Sequence, residues 1–416
     1  MKKKVFFKTF GCRTNIYDSQ VMMSSMRDYE VTENESDADV IVINSCTVTN
    51  GADTHVRSYI SHIEKSDIDV KLFLTGCGAH TKGESLLKEN RIHGVFGQSE
   101  KQKIDTLLKK EQPFYEPGDL NHIDNMVVDE FVGKSRAFIK IQEGCDFRCS
   151  YCIIPFVRGN ARSMDENRIL EQISRLGANG FGEFILTGTN VGSYGGDTKT
   201  SLAQLMKKMS QIRGVRRIRL GSVEPVQITD EFKEILGEPW MEKHMHIALQ
   251  HTSIRMLKLM NRRNVYKQDR ELFEFLADKG YAIGTDFITG HPGESDELWK
   301  EAMQNAEVLP LTHIHAFSYS KRDGTPSAHM KPEVNGRLAK QRLHEIEALV
   351  QQKNYDFRNS FSGELEVLVE SKKDGLYHGL DQHFNKIIIN SSVDLVGNWI
   401  NIQNYEVKED ANYASI

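Results

Sequence analysis

Glu143–Phe156 reads EGCDFRCSYCIIPF and holds three of the chain's six cysteines, Cys145, Cys149 and Cys152, within eight positions. The stretch before it, SRAFIKIQ, alternates and branches like a strand, so the three thiols sit on a loop at a strand's carboxyl end. Zinc sites pair two CxxC units or add histidines at fixed distances, and CxxxCxxC followed by no second unit is neither. Three thiolates on one loop can hold three irons of a [4Fe–4S] cube and leave the fourth iron open to a small molecule.

Upstream, three runs end the same way: VFFKTFGC at Cys12, DVIVINSC at Cys46 and KLFLTGC at Cys77. Their spacing of 34 and 31 residues matches one strand, helix, strand unit of roughly 30 residues. The expected fold is α/β: a parallel sheet with crossover helices, whose three strand ends bring three thiols to one rim. A lone buried cysteine is an ordinary small hydrophobe, but three at equivalent ends read as ligands of an open iron–sulfur cluster or of a zinc with an open position. The opening MKKKVFF reads as the first strand rather than a secretory leader, because its apolar part stops at Lys8 and no small-residue cleavage site follows. Downstream, strands expected near Ala137, Glu183, Arg216, Met245, Ala282 and His313 alternate with helix-length stretches, giving a partial parallel barrel of about six βα units. Its functional residues belong at the strands' carboxyl ends. Those positions hold Thr187 and Gly188 (ILTGTN), Glu224 (GSVEP) and Gln250 (HIALQHTS), with Arg158 and Arg162 following the cysteine loop. The duller alternatives are a turn for Gly188, a solvated acid for Glu224 and rim ion pairs for the arginines. The pair His313 and His315 is expected to be hydrogen-bonded rather than metal-bound.

An open iron corner is what S-adenosylmethionine requires to receive one electron, chemistry that belongs to the cofactor; Tyr151, just before the last cysteine, fits beside that cofactor's adenine. CxxxCxxC with an aromatic before the last cysteine, three upstream strand-end cysteines, and the segments KIQEGCDFRCSYCIIPFVRG, ILTGTNVG, RIRLGSVEP, TDFITGHPGE and YSKRDGTPSA together resemble the radical S-adenosylmethionine methylthiotransferases over essentially the whole chain. The resemblance implies two [4Fe–4S] clusters, one on Cys145, Cys149 and Cys152 and an auxiliary one on Cys12, Cys46 and Cys77. It further implies S-adenosylmethionine near Tyr151, Thr187, Gly188, Glu224, Gln250 and Arg158, an external electron donor, and tRNA as partner through its anticodon stem-loop, with no membrane and no DNA. NSCTVTN and CRTNIYDSQ look like the branch that places a methylthio group at C2 of N6-threonylcarbamoyladenosine at tRNA position 37. The alternatives are isopentenyladenosine or a ribosomal-protein aspartate as substrate, and a zinc-stabilised RNA-binding module that is no enzyme. Two departures from the family pattern are His251–Ser253 after Gln250, and His291 before Pro292.

With 416 residues the chain is long enough for two or three cores. The expected units are 1–112, a linker over 113–134, the barrel with its closing helix over 135–360, and a small all-β unit resembling a TRAM domain over 361–416. Short apolar runs within a 39% hydrophobic, 27% charged composition leave no segment to cross a bilayer, and reduced cysteines fit a cytoplasmic location. The net charge of −5 leaves the partner undecided. The tail is acidic, with nine acids against four lysines over Glu364–Asp410, so counterion release cannot drive RNA binding there. Tyr377, His378, Phe384 and Trp399 are candidates to stack on bases. Arg213, Arg216, Arg217 and Arg219, with Arg255, Lys258, Arg262, Arg263 and Lys267, form a candidate phosphate stripe.

Overall fold

The computed structural model describes residues 2–66, 68–124, 126–128, 131 and 135–416. The first unit is a six-stranded parallel sheet in the order β2-β1-β3-β4-β5-β6. Its strands are β1 (Lys3–Thr9), β2 (Tyr29–Val31), β3 (Val40–Ser45), β4 (Lys71–Gly76), β5 (Gly94–Phe96) and β6 (Phe114–Glu116). The VIVINS run of β3 is buried at every position, as a central parallel strand covered on both faces must be. Because β1, β3 and β4 are neighbours, the three cysteines that follow them meet on one edge. Helix α1 (Arg13–Ser25) starts directly after Cys12. Helix α2 (Asn50–Lys65) starts after Cys46, where Thr49 Oγ1 accepts from Ala52 N at 3.1 Å.

The stretch 113–134 is not all connector. Phe114–Glu116 is strand β6, and the Phe114 ring occupies the space over Gly94, where an added Cβ would lie 2.4 Å from it. Asn125, Asp129, Glu130 and residues 132–134 of that stretch lie outside the described residues.

The second unit is a partial barrel of parallel strands β7 (Ala137–Lys140), β10 (Glu183–Thr187), β11 (Arg217–Leu220), β12 (His244–His246), β13 (Ala282–Thr289) and β14 (His313–Ser318). They pair as β11-β10-β7 and β12-β13-β14, and the parallel bridges Ile218 to Met241 and Val223 to Ile247 join the two halves. A short ribbon, β8 (Gln142–Glu143) with β9 (Arg162–Ser163), braces the cysteine loop. β7 and β14 are edge strands, so the barrel is open between them. The first unit spans that gap: α1 packs on β7, and Asn50 N donates to Ser320 Oγ, just past β14, at 2.8 Å. The long helix Gly336–Ser360 buries Ile346 and Val350 against the barrel core.

The third unit, β15 (Leu365–Lys373), β16 (Leu376–Leu380), β17 (Lys386–Asn390), β18 (Trp399–Ile402), β19 (Glu406–Val407) and β20 (Asn412–Ser415), is a strand-rich sheet in the order β18-β15-β16-β17-β20-β19. Two sequence expectations fail where it meets the barrel. Arg217 and Arg219 are not free for phosphates. Alternate positions of β11 put both side chains on one buried face, where Arg217 donates to Glu183 (3.0 Å) and Arg219 to Glu183 (2.8 Å) and Glu242 (2.9 Å). Trp399 lies under the guanidinium carbons of Arg216 (4.4 Å) and Arg217 (4.6 Å). Phe384 stacks on His244 (5.0 Å) beneath Arg219 (5.3 Å), and Tyr377 is core. Trp399 and Phe384 dock the tail on the barrel through cation–π contacts. Among the described residues, no helix is long and apolar enough to cross a membrane.

Candidate active site

All six cysteines line one cavity of about 460 Å3 between the first unit and the barrel's carboxyl ends, together with Tyr151, Arg158, Gly188, Glu224 and Gln250. That volume is in the range of small-molecule sites. Thr187 does not line it; the residue is buried, and its carbonyl accepts from Ile141 N at 3.0 Å to hold the base of the cysteine loop.

The barrel's thiol set is held by backbone. Gly144 takes φ +73°, and a Cβ there would fall 1.8 Å from Asn160 O, so only glycine turns the strand into the loop. Cys145 N then donates to Gly159 O (3.0 Å) and Cys152 N to Cys149 O (3.1 Å). Asn190 Nδ2 lies 3.5 Å from Cys145 Sγ, and Arg262 Nη1 lies 3.6 Å from Cys149 Sγ. Arg262 is fixed in turn by Glu224, whose carboxylate accepts from Nη1 (2.8 Å) and Nη2, and by Ala248 O. Burial, ahead of the opposing Arg262 charge, raises the Glu224 carboxyl. Tyr151 packs with Met256, Met260 and Ile288, its ring edge-on to His291 at 6.4 Å. Gln250 adopts φ +68°, a strained conformation for a residue with a side chain. It persists because Gln250 N donates to Asp286 O (2.9 Å) and its carbonyl accepts from Ile288 N (2.8 Å). Gly188 is demanded from within the fold, since a Cβ there would meet Gln142 O at 2.7 Å.

The first unit's thiol set depends on side chains. Gly11 (φ +97°) brings the Cys12 turn so close that a Cβ would touch Cys46 Cβ at 2.6 Å. Asn15 Nδ2 donates to Phe10 O (2.8 Å) and Ser45 O (3.0 Å), the carbonyls just before the Cys12 and Cys46 turns. Arg158 arrives from the barrel, fully buried. Its Nε donates to Cys77 Sγ at 3.1 Å, Nη2 to Asn15 Oδ1 at 2.6 Å, and Nη1 to Asp18 Oδ2 at 2.9 Å and to Glu143. Beneath it Lys140 Nζ pairs with Asp18 (2.7 Å), Glu143 (2.8 Å) and Asp124, and Lys101 Nζ with Asp18 (2.7 Å) and Asp124 (2.5 Å). Three cations and three carboxylates from both units and the connector thus balance in the interior. The surrounding cations hold Asp18, Asp124 and Glu143 below the usual carboxylate range despite burial.

Arg162 serves structure, donating to His122 O (2.5 Å) and Arg158 O (2.8 Å). The two departures from the family pattern have local roles. His291 Nε2 and Ser327 Oγ are 2.8 Å apart, and Ser327 Oγ reaches Ser150 Oγ at 2.8 Å, which ties the cysteine loop down; burial lowers His291 to about 4, so the ring is neutral. His251 Nε2 faces Glu294 at 3.2 Å. His315 of the HIH pair, with His246, lies against Asp286 (3.6 and 3.1 Å) at the cavity wall. The buried thiols are poor acids alone: burial pushes Cys77 up to about 11 and Cys152 up to about 12. A metal ion deprotonates a coordinating thiol outright, and each set of three, with amide or guanidinium donors aimed at its sulfurs, suits a cluster with one open corner.

The sequence pattern of the Radical SAM superfamily matches residues 139–306, and that of the Uncharacterized protein family UPF0004 matches residues 4–97. Over 417 aligned residues the chain is 52% identical to a Helicobacter pylori (strain J99) protein named "Putative methylthiotransferase", covering 99% of each. It is 31% identical to the "Threonylcarbamoyladenosine tRNA methylthiotransferase MtaB" of Bacillus subtilis (strain 168), covering 96% of this chain and 93% of that one. Among solved structures, the radical S-adenosylmethionine methyltransferase TsrM of Kitasatospora setae superposes with a TM-score of 0.60 at 14% identity, over 79% of this chain and 77% of that chain. At that identity the likeness speaks for the fold alone.

Proposed function

Because this chain belongs to the radical S-adenosylmethionine methylthiotransferase family, we propose that it inserts a methylthio group at C2 of N6-threonylcarbamoyladenosine at position 37 of tRNA. The observation that carries this reading is the pair of three-thiol sets on one cavity. Cys145, Cys149 and Cys152 would hold the cluster whose electron cleaves one S-adenosylmethionine to a hydrogen-abstracting radical, and Cys12, Cys46 and Cys77 the cluster that would present the sulfur to be methylated by a second S-adenosylmethionine. The chain's own residues do the rest. Glu224 and Arg262 hold a fixed charge pair beside Cys149, Tyr151 offers an aromatic face, and Gln250 lines the cavity at its strand end. The substrate assignment is supported by the name of the Bacillus subtilis relative and by the segments CRTNIYDSQ and NSCTVTN. A location in the cytoplasm and an external electron donor follow from the same reading.

The test is mass spectrometry of tRNA nucleosides from cells with and without the gene. Loss of the 2-methylthio form of threonylcarbamoyladenosine alone is the expected result. Loss of the isopentenyl counterpart would assign the other tRNA branch. An unchanged nucleoside profile would overturn tRNA as substrate.

A further inference from the structure

The first unit's thiol set is not finished by its own domain. Asn15 ties together the two turns that carry Cys12 and Cys46, but Asn15 is itself oriented by Arg158 Nη2 (2.6 Å), and the third sulfur, Cys77 Sγ, is met by Arg158 Nε (3.1 Å). Among the described residues no other side-chain N–H donor reaches a thiol of this set. Arg158 lies 81 residues after Cys77 in the sequence, on the helix Ile154–Arg158 that follows the barrel's cysteine loop. Four of its five N–H groups are committed, and only the planar guanidinium fork can satisfy these acceptors together. Lys101, Lys140, Asp18, Asp124 and Glu143 beneath it fix its position and balance its charge.

We propose that Arg158 is a positioning residue for the group held by Cys12, Cys46 and Cys77: it aligns the three sulfurs and raises that group's reduction potential, so the first unit's centre is complete only when docked on the barrel. The physical reason is that a buried cation donating a hydrogen bond to a ligand sulfur favours the reduced, more negative state, and hydrogen bonds to sulfur are a principal control of cluster potential. The inference rests on the proposed reading of Cys12, Cys46 and Cys77 as ligands.

The experiment replaces Cys145, Cys149 and Cys152 by alanine, so that only the first set can carry a cluster, reconstitutes the full chain anaerobically with iron and sulfide, and follows reduction by EPR in a potential titration. Arg158→Gln is expected to lower the midpoint so that the ratio of reduced to oxidised cluster at fixed ambient potential falls about tenfold, equivalent to about 59 mV for one electron. Arg158→Lys keeps the charge balance of the interior and carries the comparison if Arg158→Gln does not fold; it is expected to shift the midpoint in the same direction by less. Midpoints equal to that of the parent in both variants, with the cluster assembled, would overturn the inference and leave the proposed function standing. A parent protein that assembles no cluster on the first set would overturn the two-centre reading, and the inference with it.

Discussion

The two thiol sets are built from the same parts and differ in where the parts come from. Each has three cysteines, one asparagine and one buried arginine: Asn190 and Arg262 for the barrel's set, Asn15 and Arg158 for the first unit's. In the barrel every part is local, and Arg262 is anchored by Glu224 and Ala248 of the same unit. In the first unit the arginine is borrowed from the barrel across a buried network of six charges. The barrel's thiol set is therefore braced from within its own unit, whereas the first unit's set depends on its neighbour.

The largest test of that asymmetry is to remove one ligand from each side. Cys149→Ala is expected to bring both 5′-deoxyadenosine formation and tRNA methylthiolation to background. Cys46→Ala is expected to retain cofactor cleavage and lose methylthiolation. Chromatography of the cleaved nucleoside beside tRNA nucleoside analysis reads both, and loss of both activities in Cys46→Ala would break the comparison.

Next in size is the shared interior. Lys140→Met leaves Asp18, Asp124 and Glu143 short of a cation and is expected to cost about 3–5 kcal/mol in denaturant unfolding, with the first unit released before the barrel. The same network sets an acid limit. Its carboxyls are depressed in the folded state, so the stability they contribute is fully present above the ordinary unfolded values of about 4. That stability is lost as pH falls through the depressed folded values. Near-ultraviolet circular dichroism across an acid titration should show separation only below about pH 4; separation already near pH 6 would contradict the network's role.

Glu224→Gln tests the local arrangement. It removes the charged partner of Arg262 beside Cys149, and a supporting-shell change of this kind is expected to weaken cofactor cleavage by roughly 10–100-fold while leaving the first unit's iron content unchanged. The smallest effect is expected far from both sets. Trp399→Ala removes a ring under two guanidinium groups and should cost about 1–2 kcal/mol in docking of the tail. An equal or larger loss in tRNA affinity would restore Trp399 to the role of base stacker.

Much of this was readable in the chain itself. Cysteine carries its chemistry in its identity, and the strand-to-cysteine spacing forces parallel crossover topology, so the sheet, the partial barrel and both thiol sets could be read directly. Arg158, Asn15, Asn190 and Arg262 could not be assigned their parts, because what they touch is decided by packing between segments far apart in sequence. Arg217 and Arg219 look like a phosphate stripe only while the strand that carries them is ignored. Arginines at alternate positions of a strand in a parallel sheet face the same side of it, and when that side is interior they require acids, which Glu183 and Glu242 provide. From the sequence Gly188 reads as a strand-end position beside the cofactor or a turn, but the neighbour that demands glycine there, Gln142, lies on another strand.

The borrowed arginine also orders events during synthesis. Translation at roughly 5–20 residues per second delivers Arg158 about 4–16 seconds after Cys77, since 81 residues separate them. Through that interval the nascent first unit carries three thiols whose partner guanidinium does not yet exist. On the proposed reading of Cys12, Cys46 and Cys77 as ligands, iron reaching the first unit in that interval would meet three thiols without the guanidinium that donates to Cys77.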